Sequence, residues 1–170
     1  MKNLIKSCLL CALIVATNGI ANAQSGAICG DPSQTKCVGQ YDDFKPYDLI
    51  FNTGRAQLGA GTHHESVEFY AVILESVSAT KADGRQCNFI SETKRQRAQK
   101  LFPNNKVFAS RQNCPGTIVG YANTSDEYNF MAVYAGESAA DAAKILIKAK
   151  KISASANVRK LKIVLDFSDE

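Results

Sequence analysis

The side chains of this sequence best suited to metal binding or covalent chemistry are four cysteines beyond residue 23, namely Cys29, Cys37, Cys87 and Cys114. Two chemistries are open to such a set: paired disulfides, or a zinc site with four thiolate ligands. The intervals between the cysteines contain no Cys-x2-Cys pair, which is the spacing typical of zinc knuckles. The spacing therefore favours disulfides, with zinc as the alternative, and we expect no metal or other cofactor.

The two histidines offer little further chemistry. His63 and His64 are adjacent and precede Glu65 in a segment bordered by glycines. Neighbouring side chains on an extended chain point in opposite directions, so the pair makes a poor clamp for one metal ion. No Gly-x-Ser-x-Gly motif places a serine nucleophile on a strand-to-helix elbow. We interpret both histidines as surface residues without a chemical role, and we expect the protein not to be an enzyme.

The first 23 residues have the layout of a secretory signal peptide. Lys2 and Lys6 precede an apolar run from Cys8 to about Ala16, and Ala21-Asn22-Ala23 forms a small-residue cleavage site. The apolar run is shorter than the ~20 residues that span a bilayer as a helix. We therefore expect cleavage after Ala23, export of the mature chain, and no transmembrane segment in it.

Export and charge narrow the possible partners. An even number of cysteines in an exported chain is typical of disulfides, and four cysteines allow three pairings. Loss of Lys2 and Lys6 leaves 18 basic and 16 acidic residues, a net charge of +2. So small an excess of basic residues does not favour binding to nucleic acid.

The first half of the mature chain predicts a strand, a helix and a second strand. Residues Val67 to Val77 are apolar on both faces near the centre of the run, which is typical of a central strand. Ser91 can cap a helix that runs to Phe102 and is stopped by the Pro103-Asn104-Asn105 segment. Lys106 to Ser110 then predicts a short strand.

The second half repeats this order. Residues 128 to 135 are mostly aromatic, β-branched or small and end at Gly136, which predicts a strand closed by a turn. Ser138 and Asp141 have the spacing of a helix N-cap, and apolar residues follow at helical spacing up to Ile152. The last segment alternates apolar and polar residues, with Leu161, Ile163, Leu165 and Phe167 on one face.

Two strand–helix–strand units in series predict an α+β fold, a ferredoxin-like β-α-β-β-α-β sandwich with an antiparallel sheet and two helices on one face. The first and second strands then end at the same edge of the sheet, near Cys87 and Cys114, so we expect these two cysteines to be bonded. Cys29–Cys37 would be a local disulfide. The predicted organisation is a signal peptide (1–23), a flexible N-terminal arm (24–66) and one domain (67–170).

This domain resembles the SPOR domain, the sporulation-related repeat of bacterial cell-envelope proteins, from about Glu68 to Phe167. The aromatic-led strand Phe69-Tyr70-Ala71-Val72-Ile73 is similar to the first strand of that family. The second half is similar in its strand, its glycine and its helix, through Phe130, Val133, Gly136, Ala142, Ala143 and Leu146.

The resemblance implies a non-catalytic envelope module, exported across the inner membrane to the periplasm, that binds peptidoglycan glycan strands through the sheet face that the helices leave open. Aromatic rings on such a face can pack against sugars while polar side chains bind hydroxyl and carboxylate groups. If the apolar residues of the last strand face the helices, its lysines face outward. The candidate glycan-binding residues are Phe69, Ile73, Glu75, Phe130, Tyr134, Lys160 and Lys162. The alternative function is a protein–protein interaction module of an envelope or secretion assembly, without affinity for glycans.

Overall fold

The computed structural model describes residues 24–30, 44–53, 62–81, 87–112 and 114–166. Its elements in chain order are β1 (Gln24–Gly26), β2 (His63–Ser66), β3 (Phe69–Ser78), α1 (Glu92–Leu101), β4 (Val107–Ala109), β5 (Val119–Ala122), β6 (Tyr128–Tyr134), α2 (Ala139–Lys150) and β7 (Asn157–Asp166). The α+β class is confirmed, with a mainly antiparallel sheet and two helices. The signal peptide predicted for residues 1–23 lies outside the described residues.

The sheet has the strand order β1-β2-β7-β3-β6-β4, and β5 pairs with β7 as well. The N-terminal half of β7 pairs with β3, while its C-terminal half pairs with β2 on one edge and β5 on the other. Every described pairing of strands is antiparallel except that of β1 with β2. Since β1, β2 and β5 take part, the order of the whole sheet is not that of a ferredoxin-like sandwich.

Both helices pack on one face of the sheet, where they bury an aliphatic core. Each helix begins at a predicted serine cap: Ser91 accepts a hydrogen bond from the Lys94 amide, and Ser138 accepts one from the Asp141 amide. The helices contribute small residues, so their backbones lie close to the sheet. This core contains Val72, Leu74, Ala98, Phe102, Val107, Met131, Val133, Ala142 and Ala149.

The helix-free face of the sheet buries a second core, which is rich in aromatic residues. The rings of Phe108 on β4 and Tyr121 on β5 stack with their centroids 5.4 Å apart, although β6, β3 and β7 lie between these two strands in the order of pairing. Strands that far apart can bring their rings together only if the sheet curls around this core. Leu49 and Phe51, from the segment 44–53, are fully buried in the same core. Curling and this segment together cover the face that the sequence suggested would be open.

Contacts with β4 hold the segment 44–53 in place. The Ala109 amide donates to the Tyr47 carbonyl oxygen at 2.9 Å, and the Lys106 Nζ donates to the Pro46 carbonyl oxygen at 2.7 Å. The guanidinium of Arg111 lies between the rings of Tyr47 and Phe89, 3.7 and 3.8 Å from their centroids. This part of the predicted flexible arm is therefore packed against the edge of the sheet, where it covers β4.

Cys87 and Cys114 form a disulfide, with their Cα atoms 4.6 Å apart. The pairing agrees with the expectation that the first two strands of the repeat end at the same edge of the sheet. The backbone of Cys87 is left-handed, with φ of 79°. The other predicted pair, Cys29–Cys37, includes Cys37, which lies outside the described residues.

His64 corrects the interpretation of both histidines as surface residues. His64 on β2 is only 2% exposed, and neither of its ring nitrogens has a hydrogen-bond partner. It pairs with Leu165 of β7, whose side chain belongs to the aromatic-rich core. Side chains alternate between the two faces of β2, so His64 and Ser66 point inward, while His63 is partly exposed beside Glu65.

Candidate functional site

Four of the seven predicted glycan-binding residues share the helix-free face of the sheet. Phe69 and Ile73 lie on β3, and Phe130 and Tyr134 lie on β6, which is its antiparallel neighbour. All four belong to the aromatic-rich core or pack against it. These four residues therefore lie together on the helix-free face, where the sequence placed them.

Most of this surface is covered, however. Phe69 is 0% exposed, and Phe130 is 4% exposed. Gly30 of the N-terminal segment lies directly against the ring of Tyr134 and partly buries it. The contact is so close that a Cβ added at Gly30 would collide with the ring. Burial, with the nearby Glu137 carboxylate, raises the pKa of Tyr134. An open platform of these aromatic rings is absent from the part of the chain that the structure describes.

Glu75 lies on the opposite face from the one predicted. Strict alternation would place it beside Ile73, but a β-bulge between Ile73 and Glu75 inserts Leu74 and shifts the register by one residue. The carboxylate of Glu75 consequently points toward α1 and forms a 2.6 Å ion pair with the Lys94 ammonium. The same shift turns Ser76 toward the helix-free face, where it pairs with Phe130.

Lys160 and Lys162 also lie away from the predicted face. Leu161, Ile163 and Leu165 point into the aromatic-rich core rather than toward the helices, so the alternating lysines point to the other side of the sheet. Each lysine is paired with a carboxylate at the sheet surface, Lys160 with Glu68 and Lys162 with Glu65. These hydrogen bonds raise the pKa values of both lysines.

One end of the helix-free face remains accessible, as a cleft of about 300 Å³. We call it the sheet-end cleft and define it by its lining residues: Ile73, Ser76, Asn123, Thr124, Ser125, Tyr128, Phe130 and Arg159. Two of the predicted residues, Ile73 and Phe130, form its apolar floor, and Tyr128 is 50% exposed at its side. The loop between β5 and β6 forms one wall.

Strand pairing and a turn fix the polar side chains around the cleft. Arg159 pairs with Ala71 across β3 and β7, which places its side chain on the helix-free face. Asn123 has a left-handed backbone, with φ of 65°, and its side-chain amide donates to the Lys160 carbonyl oxygen at 3.4 Å. The Thr124 hydroxyl donates to the Tyr121 carbonyl oxygen at 2.6 Å and stiffens this turn. The wall of the cleft is thus held by its own hydrogen bonds.

The guanidinium of Arg159 is the strongest unused donor group in the cleft. No described residue lies within hydrogen-bond or ion-pair distance of it. A guanidinium can bind a carboxylate through two parallel hydrogen bonds. With a tyrosine ring and an apolar floor beside it, the cleft can bind a ligand that combines an apolar face, hydroxyl groups and a carboxylate.

Sequence reasoning missed Arg159, Tyr128 and the Asn123–Ser125 turn. A signal for Arg159 was present, because it lies two residues before Leu161 and must share a face with it. Tyr128 stands two residues before Phe130 and follows the same rule. Arg159 was missed because Leu161, Ile163 and Leu165 were assigned to the helix side of the sheet, whereas Tyr128 was left out although Phe130 was assigned to the open face.

Comparison with known protein families, with curated proteins and with solved structures finds no match to this chain. Within the described ranges, no three His, Cys, Asp or Glu side chains are grouped closely enough to hold a metal ion. No helix in the same ranges is long and apolar enough to cross a membrane.

Proposed function

We propose that the protein is a non-catalytic, exported module of the bacterial cell envelope, and that it binds peptidoglycan glycan strands in the sheet-end cleft. The muramic acid units of such strands offer a carboxylate when their peptide stems have been removed. The apolar faces of the sugar rings would pack against Tyr128 and the floor of the cleft. The carboxylate would bind Arg159.

The observation that carries this proposal is the free guanidinium of Arg159 beside a half-exposed tyrosine ring. Elsewhere in the described sheet, Lys160 and Lys162 already have carboxylate partners, so a ligand carboxylate would have to displace them. No carboxylate of the described residues competes for Arg159, and its guanidinium lies above apolar surface, where a charge-assisted hydrogen bond is stronger than in open water.

The four strands of the repeated units support the proposed relation to the SPOR family. Strands β7, β3, β6 and β4 are successive neighbours, with the first and third strands of the repeat, β3 and β6, in the middle. We assign these four strands and the two helices to a ferredoxin-like unit, to which β1, β2 and β5 are additions. Under this assignment the added strands and the segment 44–53 restrict the ligand to one end of the helix-free face.

Cosedimentation with purified sacculi tests the glycan proposal. We expect the protein (residues 24–170) to pellet with sacculi, and to do so more strongly after an amidase has removed the stem peptides. The Arg159→Gln and Tyr128→Ala variants should each bind at least about fivefold more weakly, because each loses a contact worth roughly 1–3 kcal/mol.

Lys160→Gln is the matched control, because Lys160 neighbours Arg159 in the chain but lies on the other side of the sheet. This variant should bind sacculi as the unaltered protein does. If the protein stays in the supernatant with both kinds of sacculi, the glycan proposal fails. If Lys160→Gln weakens binding as much as Arg159→Gln, the binding site is not the sheet-end cleft.

A further inference from the structure

The helical layer of the molecule has a net positive charge, whereas the rest of the chain beyond residue 23 has a net negative charge. Helices α1 and α2, with the cap residue Lys151, contain eight basic and two acidic residues, a net charge of +6. Residues 24–170 together have a net charge of +2, so the remainder of that chain has a net charge of −4. Such a separation favours an anionic partner on the helical side.

An apolar groove of about 470 Å³ lies in this layer, between α1 and the turn that follows α2. Its floor is formed by buried side chains of the sheet and of α1, namely Leu74, Ala98, Phe102 and Met131. Leu101 and Ile152 stand at its sides and are 46% and 50% exposed. Two large aliphatic residues half in water beside an apolar floor form a surface that gains from being covered.

The charged residues around the groove are mostly basic. Among the described residues that line it, Glu75 is the one acidic side chain, and its carboxylate is neutralised by the Lys94 ammonium. Arg97 lines the same groove and has no described acidic partner. The Lys148 ammonium lies 4.9 Å from the centroid of the Phe102 ring, on the side of α2. Cations therefore flank the apolar floor from both helices.

We propose that this groove is a docking site for an acidic amphipathic segment of a partner protein. The apolar side chains of the segment would fill the space between Leu101 and Ile152, and its carboxylates would pair with Arg97 and Lys148. Helical segments commonly bind to grooves of this kind, by inserting the apolar face at i, i+3 and i+4. This function is separate from the sheet-end cleft, because the cleft lies on the other face of the sheet.

The shape of the site favours a protein segment over a lipid surface. The floor residues Leu74 and Met131 belong to the sheet and lie beneath the helices, so a flat bilayer cannot reach them. The most exposed aliphatic residue of the helical layer is Ile147, at 67%, and it is not part of the groove. Insertion into a bilayer would use Ile147, whereas a docked segment would use Ile152. This difference separates the two partners by experiment.

Binding of labelled synthetic peptides, followed by fluorescence anisotropy, tests the proposal with residues 24–170. The probe is a peptide of about 14 residues, or four helical turns, with leucines at i, i+3 and i+4 spacing and glutamates elsewhere. One comparison peptide replaces every glutamate with lysine. A second has the composition of the probe but scattered leucines. We expect the probe to bind at least about tenfold more tightly than either comparison peptide.

Two pairs of variants locate the site, and each pair changes one exposed residue in the groove and one outside it. Arg97→Glu should weaken binding of the acidic probe at least about tenfold, whereas Lys144→Glu should change it less than about twofold. Ile152→Ser should weaken it about fivefold or more, whereas Ile147→Ser should have little effect. Circular dichroism and thermal unfolding check that all four variants fold.

Several outcomes would overturn the docking proposal. Failure of the unaltered protein to bind the acidic probe would do so, as would equal binding of the probe and of either comparison peptide. Equal weakening by Ile152→Ser and Ile147→Ser would also contradict it. Tighter binding to vesicles of phosphatidylglycerol and phosphatidylcholine than to the probe, lost in Ile147→Ser, would assign the helical layer to a lipid surface instead.

Discussion

Asp48 is a carboxylate buried where the segment 44–53 meets the sheet. It is 5% exposed, and its Oδ2 accepts a 2.7 Å hydrogen bond from the Lys45 amide. Burial raises the pKa of Asp48 to about 6, although that hydrogen bond and the nearby charges of Lys106 and Arg111 oppose the rise. Removal from water therefore outweighs the attractive interactions at this position.

The raised pKa makes the stability of the protein depend on pH in a predictable direction. Between the unfolded pKa, near 4, and the folded pKa, about 6, the folded protein binds more protons than the unfolded chain. The contribution of Asp48 to the free energy of unfolding therefore falls as the pH rises through this range. A difference of about two pKa units corresponds to roughly 3 kcal/mol.

We expect Asp48→Asn to stabilise the protein more strongly at pH 7.5 than at pH 4. An asparagine stays neutral at both pH values, and its side-chain oxygen can still accept a hydrogen bond from the Lys45 amide. The gain over the unaltered protein should be about 2 kcal/mol larger at pH 7.5 than at pH 4. Urea denaturation at the two pH values measures this difference. Glu127→Gln, at an exposed carboxylate, should show no such dependence, and an equal gain at both pH values for Asp48→Asn would contradict the prediction.

At the residue scale, the sequence predicted features that depend on neighbours along the chain. The two serine caps are confirmed because a cap needs only a side-chain oxygen and the next turn of helix. The positions of Glu75 and His64 were not predictable from local pattern. Glu75 depends on an insertion in the register of its strand, and the burial of His64 depends on the pairing of β2 with β7.

Among the elements, the segment 44–53 has the largest effect on the candidate site. It adds Leu49 and Phe51 to the aromatic-rich core and covers the edge of β4. The guanidinium of Arg111 lies between the rings of Tyr47 and Phe89 and so also holds this segment at the edge of the sheet. Cation–π contacts of a partly desolvated arginine contribute about 1–2 kcal/mol.

We expect Arg111→Ala to loosen this segment locally. Amide hydrogen exchange at Ala109, whose amide donates to the Tyr47 carbonyl oxygen, should become about tenfold faster. The Ala135 amide, which donates to the Tyr70 carbonyl oxygen in the central sheet, should keep its rate. Arg97→Ala, at an exposed arginine of α1, serves as the control. If hydrogen exchange becomes faster by the same factor at both amides, the segment opens only together with the whole protein and the prediction is wrong.

At the element scale, the sequence predicted the six elements of the two repeated units and missed the docking of the segment 44–53 across the helix-free face. Alternation and caps identify strands and helices because these signals repeat within a few residues. The apolar run Leu49-Ile50-Phe51 is a local signal for contact between this segment and apolar surface. It carried no information about which surface, because a short apolar run fits any exposed hydrophobic patch.

For the molecule as a whole, the Cys87–Cys114 disulfide joins a residue that precedes α1 to a residue that follows β4, and these are 27 positions apart in the chain. We expect the double variant Cys87→Ser with Cys114→Ser to lose about 3 kcal/mol of unfolding free energy, because the unfolded chain gains the freedom of an open loop. Serine is close to cysteine in size and has a similar backbone preference. The double variant therefore differs from the unaltered protein mainly in the missing disulfide. Urea denaturation measures the loss, and a loss below about 1 kcal/mol would show that the disulfide adds little constraint.

At the largest scale, the sequence predicted the class of the fold but not the curl of the sheet. The curl follows from β7, which is long enough to pair with β3 over one half and with β2 and β5 over the other. Pairing between distant segments leaves no periodic signal in a single sequence. The expected open sheet face was therefore reduced to the sheet-end cleft, the part that neither the curl nor the segment 44–53 covers.

The β-bulge at Leu74 reverses which side chains of β3, odd-numbered or even-numbered, face each side of the sheet. Before it, odd-numbered residues of β3 face the aromatic-rich core, and after it even-numbered residues face that side. A single inserted amino acid thus supplies Ser76 to the sheet-end cleft and Glu75 to the groove beside α1. The two proposed binding surfaces are linked through this one position. A strand that kept Leu74 in regular alternation, without the bulge, would turn Glu75 toward the sheet-end cleft and Ser76 toward the groove, and so would exchange their polar groups.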